Sequence, residues 1–214
     1  MMGAARLAMP RVPDIEFWKL CGSGTGEGFT PVPNTAVYAI LATWPSLGIA
    51  RDRVENAPIF RRYSDKAREN WTVFLNPTSA RGRWSGVAPF DPAARTLPGP
   101  IAALTRATIK PSILLKFWGR VPDISSVIGD DPNVLFKIGI GEVPWLHQVT
   151  FSIWPDAEAM AAFARADGPH AHAIQAVREG NWFREELYAR FQIAGDRGSW
   201  GGLSPLHTSR SAAA

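Results

Sequence analysis

The chain repeats four short motifs in the same order, and this constrains its fold more than any other feature. The motifs are Arg-Val-Pro-Asp-Ile, Trp-Pro, Arg-Glu-Asn-Trp (with one glycine inserted in its second copy) and Arg-Gly-x-Trp. They begin at Arg11, Trp44, Arg68 and Arg81, and return at Arg120, Trp154, Arg178 and Arg197. A period this long indicates a duplicated domain rather than a solenoid unit. We therefore predict two related halves in one pseudo-symmetric body.

Each half shows strand patterns followed by a helical stretch and a closing strand. In the second half we predict strands at 109–118, 134–140, 146–154 and 187–193, with helices after Asp156 and from Pro169 to about Gly180. In the first half we predict strands at 18–20, 37–44 and 71–75, and a helical region at 51–70. The predicted fold class is α+β: two ferredoxin-like half-domains, packed as a pseudo-symmetric dimeric α+β barrel type fold.

The predicted organisation is a first half at 1–86, a linker at 87–106, a second half at 107–206 and a disordered tail at 207–214. The first half has no counterpart of the strand predicted at 109–118, because only ten residues precede its first motif. We therefore expect that a native N-terminal strand lies upstream of this sequence.

Composition narrows the class of protein. Of 214 residues, 46% are hydrophobic and 20% charged, as in ordinary globular domains, and nine Trp and eleven Phe supply large apolar surfaces. The basic residues are scattered, which argues against nucleic-acid binding, and the net charge is +4. A single cysteine, Cys21, excludes an internal disulfide and an iron–sulfur cluster. With no membrane-spanning stretch, we expect a cytoplasmic protein in peripheral contact with the inner membrane.

Two of the four histidines are candidate ligands. If Pro169 opens a helix, His170 shares an apolar face with Ile174 and Val177, whereas His172 lies on a more polar face. The repeat aligns His170 with apolar residues of the first half, so the architecture does not itself require a histidine there. His170 is therefore the stronger candidate for an inward ligand.

A glycine-rich run at 21–28 matches neither the dinucleotide fingerprint nor the P-loop, and we interpret it as a flexible connection between strands. Cys21 within it could be a heme thiolate, but its neighbours do not favour this over a buried thiol. The acidic pair Glu185-Glu186 has the character of solvated charge rather than of an acid/base dyad.

Four segments resemble spheroidene monooxygenases, the carotenoid 2-ketolases of purple phototrophic bacteria. They are Phe-Trp-Lys-Leu-Cys-Gly-Ser-Gly-Thr-Gly-Glu-Gly-Phe at 17–29, Ile-Gly-Ile-Gly-Glu at 138–142, Thr-Phe-Ser-Ile-Trp-Pro at 150–155, and 168–188 from Gly-Pro-His through Trp-Phe-Arg-Glu-Glu-Leu-Tyr. The resemblance implies a heme monooxygenase that takes electrons from ferredoxin and oxidises the acyclic carotenoid spheroidene at C2 to spheroidenone. It implies His170 as the axial iron ligand, with His172 as the alternative, Arg178 near a propionate and Trp182 beside the heme.

Two other classes remain open. A non-heme iron oxygenase would use His170, His172 and a carboxylate such as Asp167, provided that 168–172 is extended. A non-enzymatic pigment-binding protein would keep His170 as an ordinary core residue. The carotenoid preference, the oligomeric state and the remaining catalytic residues do not follow from the sequence.

Overall fold

One antiparallel sheet of seven strands organises the described part of the chain. The structure is a computed structural model that describes residues 2–92, 97–119, 133–165 and 180–206. Its strands are β1 (Phe17–Gly24), β2 (Pro33–Thr43), β3 (Trp71–Gly82), β4 (Ile101–Ile109), β5 (Phe136–Gly141), β6 (His147–Trp154) and β7 (Phe183–Gly198). They lie in the order β2-β1-β5-β6-β4-β7-β3, and every neighbouring pair is antiparallel.

The sheet curls around an apolar core, so that β3, at one edge, meets strands from the other half of the sheet. The ring of Trp71 on β3 lies 4.8 Å from that of Phe136 on β5. Trp84, just after β3, lies 5.8 Å from Phe17 on β1. Because strand side chains alternate between faces, each strand sends every second residue into this core. We call the concave side the inner face and the opposite side the outer face.

Five α-helices flank the outer face within the described ranges: α1 (Met2–Ala8), α2 (Leu47–Asn56), α3 (Pro58–Lys66), α4 (Leu114–Trp118) and α5 (Ala157–Arg165). A 3-10 helix (Met9–Arg11) follows α1. A separate cluster formed by Ala5, Met9, Leu20 and Ile59 joins α1 and α3 to β1. Helix α5 begins after Asp156, whose Oδ1 accepts a hydrogen bond from the Ala159 N–H at 2.7 Å. Within the described ranges, none of the helices is long and apolar enough to cross a membrane.

Strand β4 is the main correction to the sequence-based expectation. The strand predicted at 109–118 is wrong, because the observed strand ends at Ile109 and a 3-10 turn (Pro111–Ile113) and α4 follow. Pro111 has no N–H for a strand ladder, and its fixed φ suits a first helical turn. Most of β4 instead lies in the segment predicted as the 87–106 linker. The alternation of apolar and polar residues is hard to recognise in the sequence of β4, because several of its residues are small and one inward residue, Arg106, is charged.

The other differences concern length and continuity. The helical region predicted at 51–70 is two helices, α2 and α3, with Pro58 as the first residue of the second. Strand β1 continues to Gly24, so the first part of the glycine run is strand rather than a flexible connection. The strands predicted at 134–140 and 146–154 and the helix after Asp156 are confirmed.

Candidate functional site

Several strand ends and loops meet at one end of the curled sheet, which we call the near end. The register places Gly22 of β1 opposite Gly141 of β5. It also places Ile109 of β4 opposite Phe183 of β7, and Gly82 of β3 opposite Leu187. The loops that follow β1, β3, β4 and β5 therefore all emerge here. Both clusters of polar and aromatic side chains described below lie at or beside this end.

A buried guanidinium is the first unusual feature of the near end. Arg106 of β4 has the same phase as Leu104, so it points to the inner face, and it is only 1% exposed. It forms an ion pair with Glu185 of β7, and its Nη2 lies 3.9 Å from Oε2 of Glu142. Its guanidinium carbon also lies 5.7 Å from the centre of the Trp84 ring. A buried charge needs such partners, because desolvation would otherwise strongly destabilise the fold.

Glu142, directly after β5, collects donors from four different strands and loops. Its Oε2 accepts a hydrogen bond from Nε1 of Trp84 at 2.6 Å, and its Oε1 lies 3.0 Å from Nζ of Lys19. Nδ1 of His147 lies 3.4 Å from Oε2. Burial raises the pKa of Glu142, but the nearby His147 ring, the hydrogen bond from Trp84 and the ion pair with Lys19 outweigh it and lower the pKa to about 2. Glu142 is therefore a carboxylate at neutral pH and is not a general acid there.

Glu185 holds the turn that follows β3. Its carboxylate accepts hydrogen bonds from the backbone N–H groups of Ser85 at 2.9 Å and Gly86 at 2.7 Å. Nζ of Lys19 donates to Oγ of Ser85 at 2.7 Å, which joins this turn to Glu142. Burial raises the pKa of Glu185, whereas the two N–H groups and Arg106 lower it. The lowering is larger, so the pKa lies below its usual range. Lys19, Trp84, Arg106, Glu142 and Glu185 thus form one connected set, which we call the inner charged cluster.

Cys21 lies on the inner face beside this cluster and is fully buried. Burial, with the nearby charge of Glu142, raises its pKa to about 12. The thiol therefore stays protonated at neutral pH. Cys21 is therefore the buried thiol that its sequence neighbours favour.

The outer face of β4 carries a row of small and polar side chains in the middle of the sheet. Thr105 pairs with Thr150 of β6 on one side and Tyr188 of β7 on the other. It is exposed although its strand has a neighbour on both sides. The adjacent outward residues of β4 are Ala103 and Ala107. We call this surface of Ala103, Thr105, Ala107, Thr150 and Tyr188 the outer floor.

Two apolar clusters bound the outer floor. At one end, Trp154, Ile101, Met160 and Phe163 join β6 and β4 to α5. At the near end, Trp182, Ile109, Phe117 and Phe29 form a second cluster, with Phe183 packed against it. Trp182 is 2% exposed, and Nζ of Lys116 lies 5.1 Å from the centre of its ring. A groove of about 550 Å³ runs beside it, lined by Gly82, Arg83 and residues 181–186. A groove bordered by aromatic side chains can accept a large apolar ligand.

Comparison with known proteins identifies the relatives of this chain. No family model matches the sequence. A protein of Rhodobacter capsulatus named spheroidene monooxygenase is 55% identical over 91% of this chain and 82% of its own length. The chain belongs to the spheroidene monooxygenase family. A second family member, from Cereibacter sphaeroides, is 55% identical over 96% of the chain, which spans only 64% of that relative's length. A third, from Rubrivivax gelatinosus, is 33% identical over 89% of the chain and 73% of its own length.

Solved structures with a similar course of the chain are distant. A Fusobacterium nucleatum protein described as a candidate monooxygenase is 11% identical and covers 92% of this chain and 84% of its own, with a TM-score of 0.46. An anthrone oxidase-like protein is 12% identical and covers 94% of this chain and 89% of its own, with a TM-score of 0.38.

The sequence predicts five site residues for this member of the spheroidene monooxygenase family, and only one of them lies within the described residues. His170, His172, Arg178 and Asp167 lie outside the described residues. Trp182 lies inside them, buried in the near-end aromatic cluster. Within the described residues, no three His, Cys, Asp or Glu side chains are grouped so that they could hold a metal ion.

The inner charged cluster is not predicted from the sequence. Arg106 lay in the segment predicted as a linker, and Glu185 was interpreted as solvated charge, whereas it binds two backbone N–H groups and Arg106. One sequence feature could have indicated it. Arg106 lies two residues after Leu104, so if 104–109 is a strand both side chains point to the same face. His147 is the first residue of β6, within the strand predicted at 146–154, and Glu142, the carboxylate near its ring, lies five residues before it.

Proposed function

We propose that the chain is a heme-dependent monooxygenase that oxidises the acyclic carotenoid spheroidene at C2 to the ketone spheroidenone. The observation that carries this proposal is the 55% identity to two relatives named spheroidene monooxygenase. O2 is the oxidant and ferredoxin is the electron donor. Each oxygenation places one oxygen atom in a C–H bond and reduces the other to water with two electrons and two protons. Two oxygenations at C2 give a geminal diol, which loses water to form the ketone.

The outer floor supports heme as the cofactor. A planar macrocycle needs a surface without large side chains, and the central strand supplies Ala103, Thr105 and Ala107 there. The exposure of Thr105 leaves this surface accessible in the middle of the sheet. When bound, the heme supplies the activation of O2, and the protein supplies an axial ligand and a dry pocket.

The proposed ligand residues follow the family resemblance. His170 is the axial ligand, with His172 as the alternative, and Arg178 pairs with a propionate. Trp182 forms a wall beside the heme, and its burial with Phe117 and Ile109 supports this role because such a wall excludes water. The same aromatic surface suits an acyclic carotenoid, whose polyene chain is apolar along its whole length.

Exposed arginines support an acidic redox protein as electron donor. Arg81 and Arg83, near the end of β3, and Arg184 and Arg190 of β7 are all exposed. Arg83 and Arg184 also line the groove beside Trp182. Glu186 of β7 is exposed among these four arginines, so positive charge is in excess. Such an excess attracts an acidic partner and speeds its association. We place ferredoxin at this surface.

We also infer an internal duplication with halves at 1–86 and 107–206, assembled as a pseudo-symmetric dimeric α+β barrel type fold. The turns that follow β3 and β7 support it, because each closes on a tryptophan and is bound by a glutamate from the other half. The chain is expected to be cytoplasmic, with peripheral contact at the inner membrane where a carotenoid dissolves.

An absorption spectrum of the purified protein reconstituted with heme tests the proposal. We expect a Soret band that is lost in His170→Ala and kept in His172→Ala. The reverse pattern would assign the ligand role to His172. Absence of the band in the unsubstituted protein would contradict the heme proposal. Iron found without porphyrin would then favour a non-heme oxygenase, and no iron would favour a pigment-binding protein.

A further inference from the structure

Three segments meet beyond the aromatic cluster of the near end and are joined by hydrogen bonds from two indole groups. They are the loop between β1 and β2, the turn between β5 and β6, and helix α4. Nε1 of Trp145 donates to the carbonyl of Pro31 at 2.9 Å, and Nε1 of Trp118 donates to the carbonyl of Trp145 at 3.0 Å. These bonds fix the turn of Trp145 between the other two segments.

Large apolar side chains project from this meeting point. Leu115 of α4 is 92% exposed, Val32 is 58%, Trp145 is 54% and Val143 is 39%. We call these four residues the apolar tip. Trp145 also has a φ of +70°, which is unfavourable for a residue with a side chain. The two indole hydrogen bonds hold this conformation and so keep the ring at the surface.

Among the described residues of these three segments, the charged side chains that lack an acidic partner are lysines. Lys110 and the exposed Lys116 lie on the segment that carries Leu115. The three segments contain two carboxylates, and neither offsets the charge of these lysines. Glu27 is ion-paired with Lys137, and Glu142 is turned to the inner charged cluster. Apolar side chains with tryptophan, flanked by lysines that no carboxylate in the described part of the chain pairs with, match the surface of a bilayer with anionic headgroups.

We propose that the apolar tip docks on an anionic lipid surface, with Leu115 and Trp145 inserted at the level of the headgroups. This inference rests on the proposed function, since a carotenoid substrate is dissolved in the bilayer. The tip is continuous with the aromatic cluster: the ring of Trp118 lies 5.5 Å from that of Phe117, which packs with Trp182. Docking therefore places the near end of the outer floor against the lipid, and an apolar substrate enters without crossing water.

Flotation with vesicles of phosphatidylcholine and phosphatidylglycerol tests the proposal. We expect the protein to float with these vesicles, and Leu115→Asp to lower its partition coefficient roughly tenfold because an inserted leucine is lost. Trp145→Ala is expected to lower it as well. Pure phosphatidylcholine or high salt should weaken binding, because the lysines then lose their anionic partners.

Leu203→Asp and Trp200→Ala are matched controls. Leu203 is 65% and Trp200 43% exposed, and both follow β7 at the opposite end of that strand. They should leave flotation unchanged. Thermal melting confirms that each variant is folded, and Leu115→Asp is the decisive variant because its side chain is almost free of contacts.

Absence of flotation, or equal flotation of Leu115→Asp and the unsubstituted protein, would overturn the proposal. Self-association that Leu115→Asp abolishes, without vesicle binding, would assign the tip to an interface between copies of this chain and would overturn it too. The measurement needs neither heme nor carotenoid. A failure here is therefore distinct from a missing Soret band, which would remove the proposed cofactor and leave lipid binding intact.

Discussion

The turns after β3 and after β7 have the same backbone but different surroundings. In the first, the N–H of Trp84 donates to Val87, and in the second the N–H of Trp200 donates to Leu203, at 2.7 and 2.8 Å. Glu185 binds two N–H groups of the first turn, and Glu69 binds two of the second. Each glutamate lies near the start of the strand that pairs with the strand before the turn.

The side chains of the two turns differ sharply. Trp84 is fully buried and donates to Glu142 within the inner charged cluster. Trp200 is 43% exposed, and its ring lies 5.4 Å from that of Phe136. A glutamate holds the turn in both places. At the near end the tryptophan of the turn also contacts the buried inner charged cluster, whereas Trp200 at the opposite end is partly exposed. The difference indicates that the near end, beside Trp182 and the apolar tip, is the more constrained of the two ends.

Truncating the two tryptophans should give the largest contrast between the turns. We expect Trp84→Ala to lower the free energy of unfolding by about 4 kcal/mol, because it leaves a cavity and removes a donor to Glu142. Trp200→Ala should cost about 1 kcal/mol, since its ring is half exposed. Urea denaturation followed by circular dichroism measures both. Equal losses would show that the two turns are equivalent in energy and would contradict this comparison.

Removing the buried guanidinium should have the next largest effect. Arg106→Met should lower the free energy of unfolding by about 3 kcal/mol, because Glu142 and Glu185 keep their charges while losing a buried partner. Arg190→Met on the exposed outer face of β7 is the matched control and should change stability by less than about 0.5 kcal/mol. The same denaturation assay applies. A neutral Arg106→Met would mean that the cluster is solvated in solution.

The smallest expected effect is a pH dependence that belongs to Glu142. Its pKa is lowered to about 2 in the folded protein, so its stabilising contribution is complete above about pH 4.5 and is lost as the pH falls through about 2. After allowance for solvent screening, we expect about 1–2 kcal/mol of acid-dependent stability from this group.

Denaturation midpoints measured from pH 7 to pH 2 test this expectation. Glu142→Gln should be less stable at pH 7 and show a flatter profile over the acid range. Glu158→Gln, on the exposed first turn of α5, should keep the slope of the unsubstituted protein. An unchanged slope in Glu142→Gln would assign the acid dependence to other carboxylates.

The sequence predicted the parts of the fold whose pattern is local. Alternation from Leu146 to Trp154 and the capping signal at Asp156 correspond to β6 and α5, because strand phase and helix caps depend on neighbours in the chain. Strand β4 was not predicted, because its side chains are small and its one charged residue is neutralised by partners that are distant in the sequence. Periodicity treats Arg106 as polar, and only the assembled sheet shows the two carboxylates that allow its burial.

The candidate site could be predicted only in part for the same reason. Trp182 was selected from the resemblance, and it lies in an aromatic cluster beside the outer floor. The floor itself consists of Ala, Thr and Tyr residues on three strands, which carry no motif. Their proximity arises from the registers of β4 with β6 and β7.

A close backbone contact at Gly139 also depends on the assembled sheet. A Cβ at this position would lie 2.6 Å from the carbonyl oxygen of Gly28, in the loop before β2.

The burial of Cys21 has a consequence for the solution chemistry of the chain. A thiol with a pKa of about 12 on the closed side of the sheet reacts with alkylating reagents only when the strands around it separate. It is also shielded from peroxide, a common by-product of O2 reduction. Because it is the single cysteine of the chain, the rate at which an alkylating reagent labels it measures how often the inner core opens.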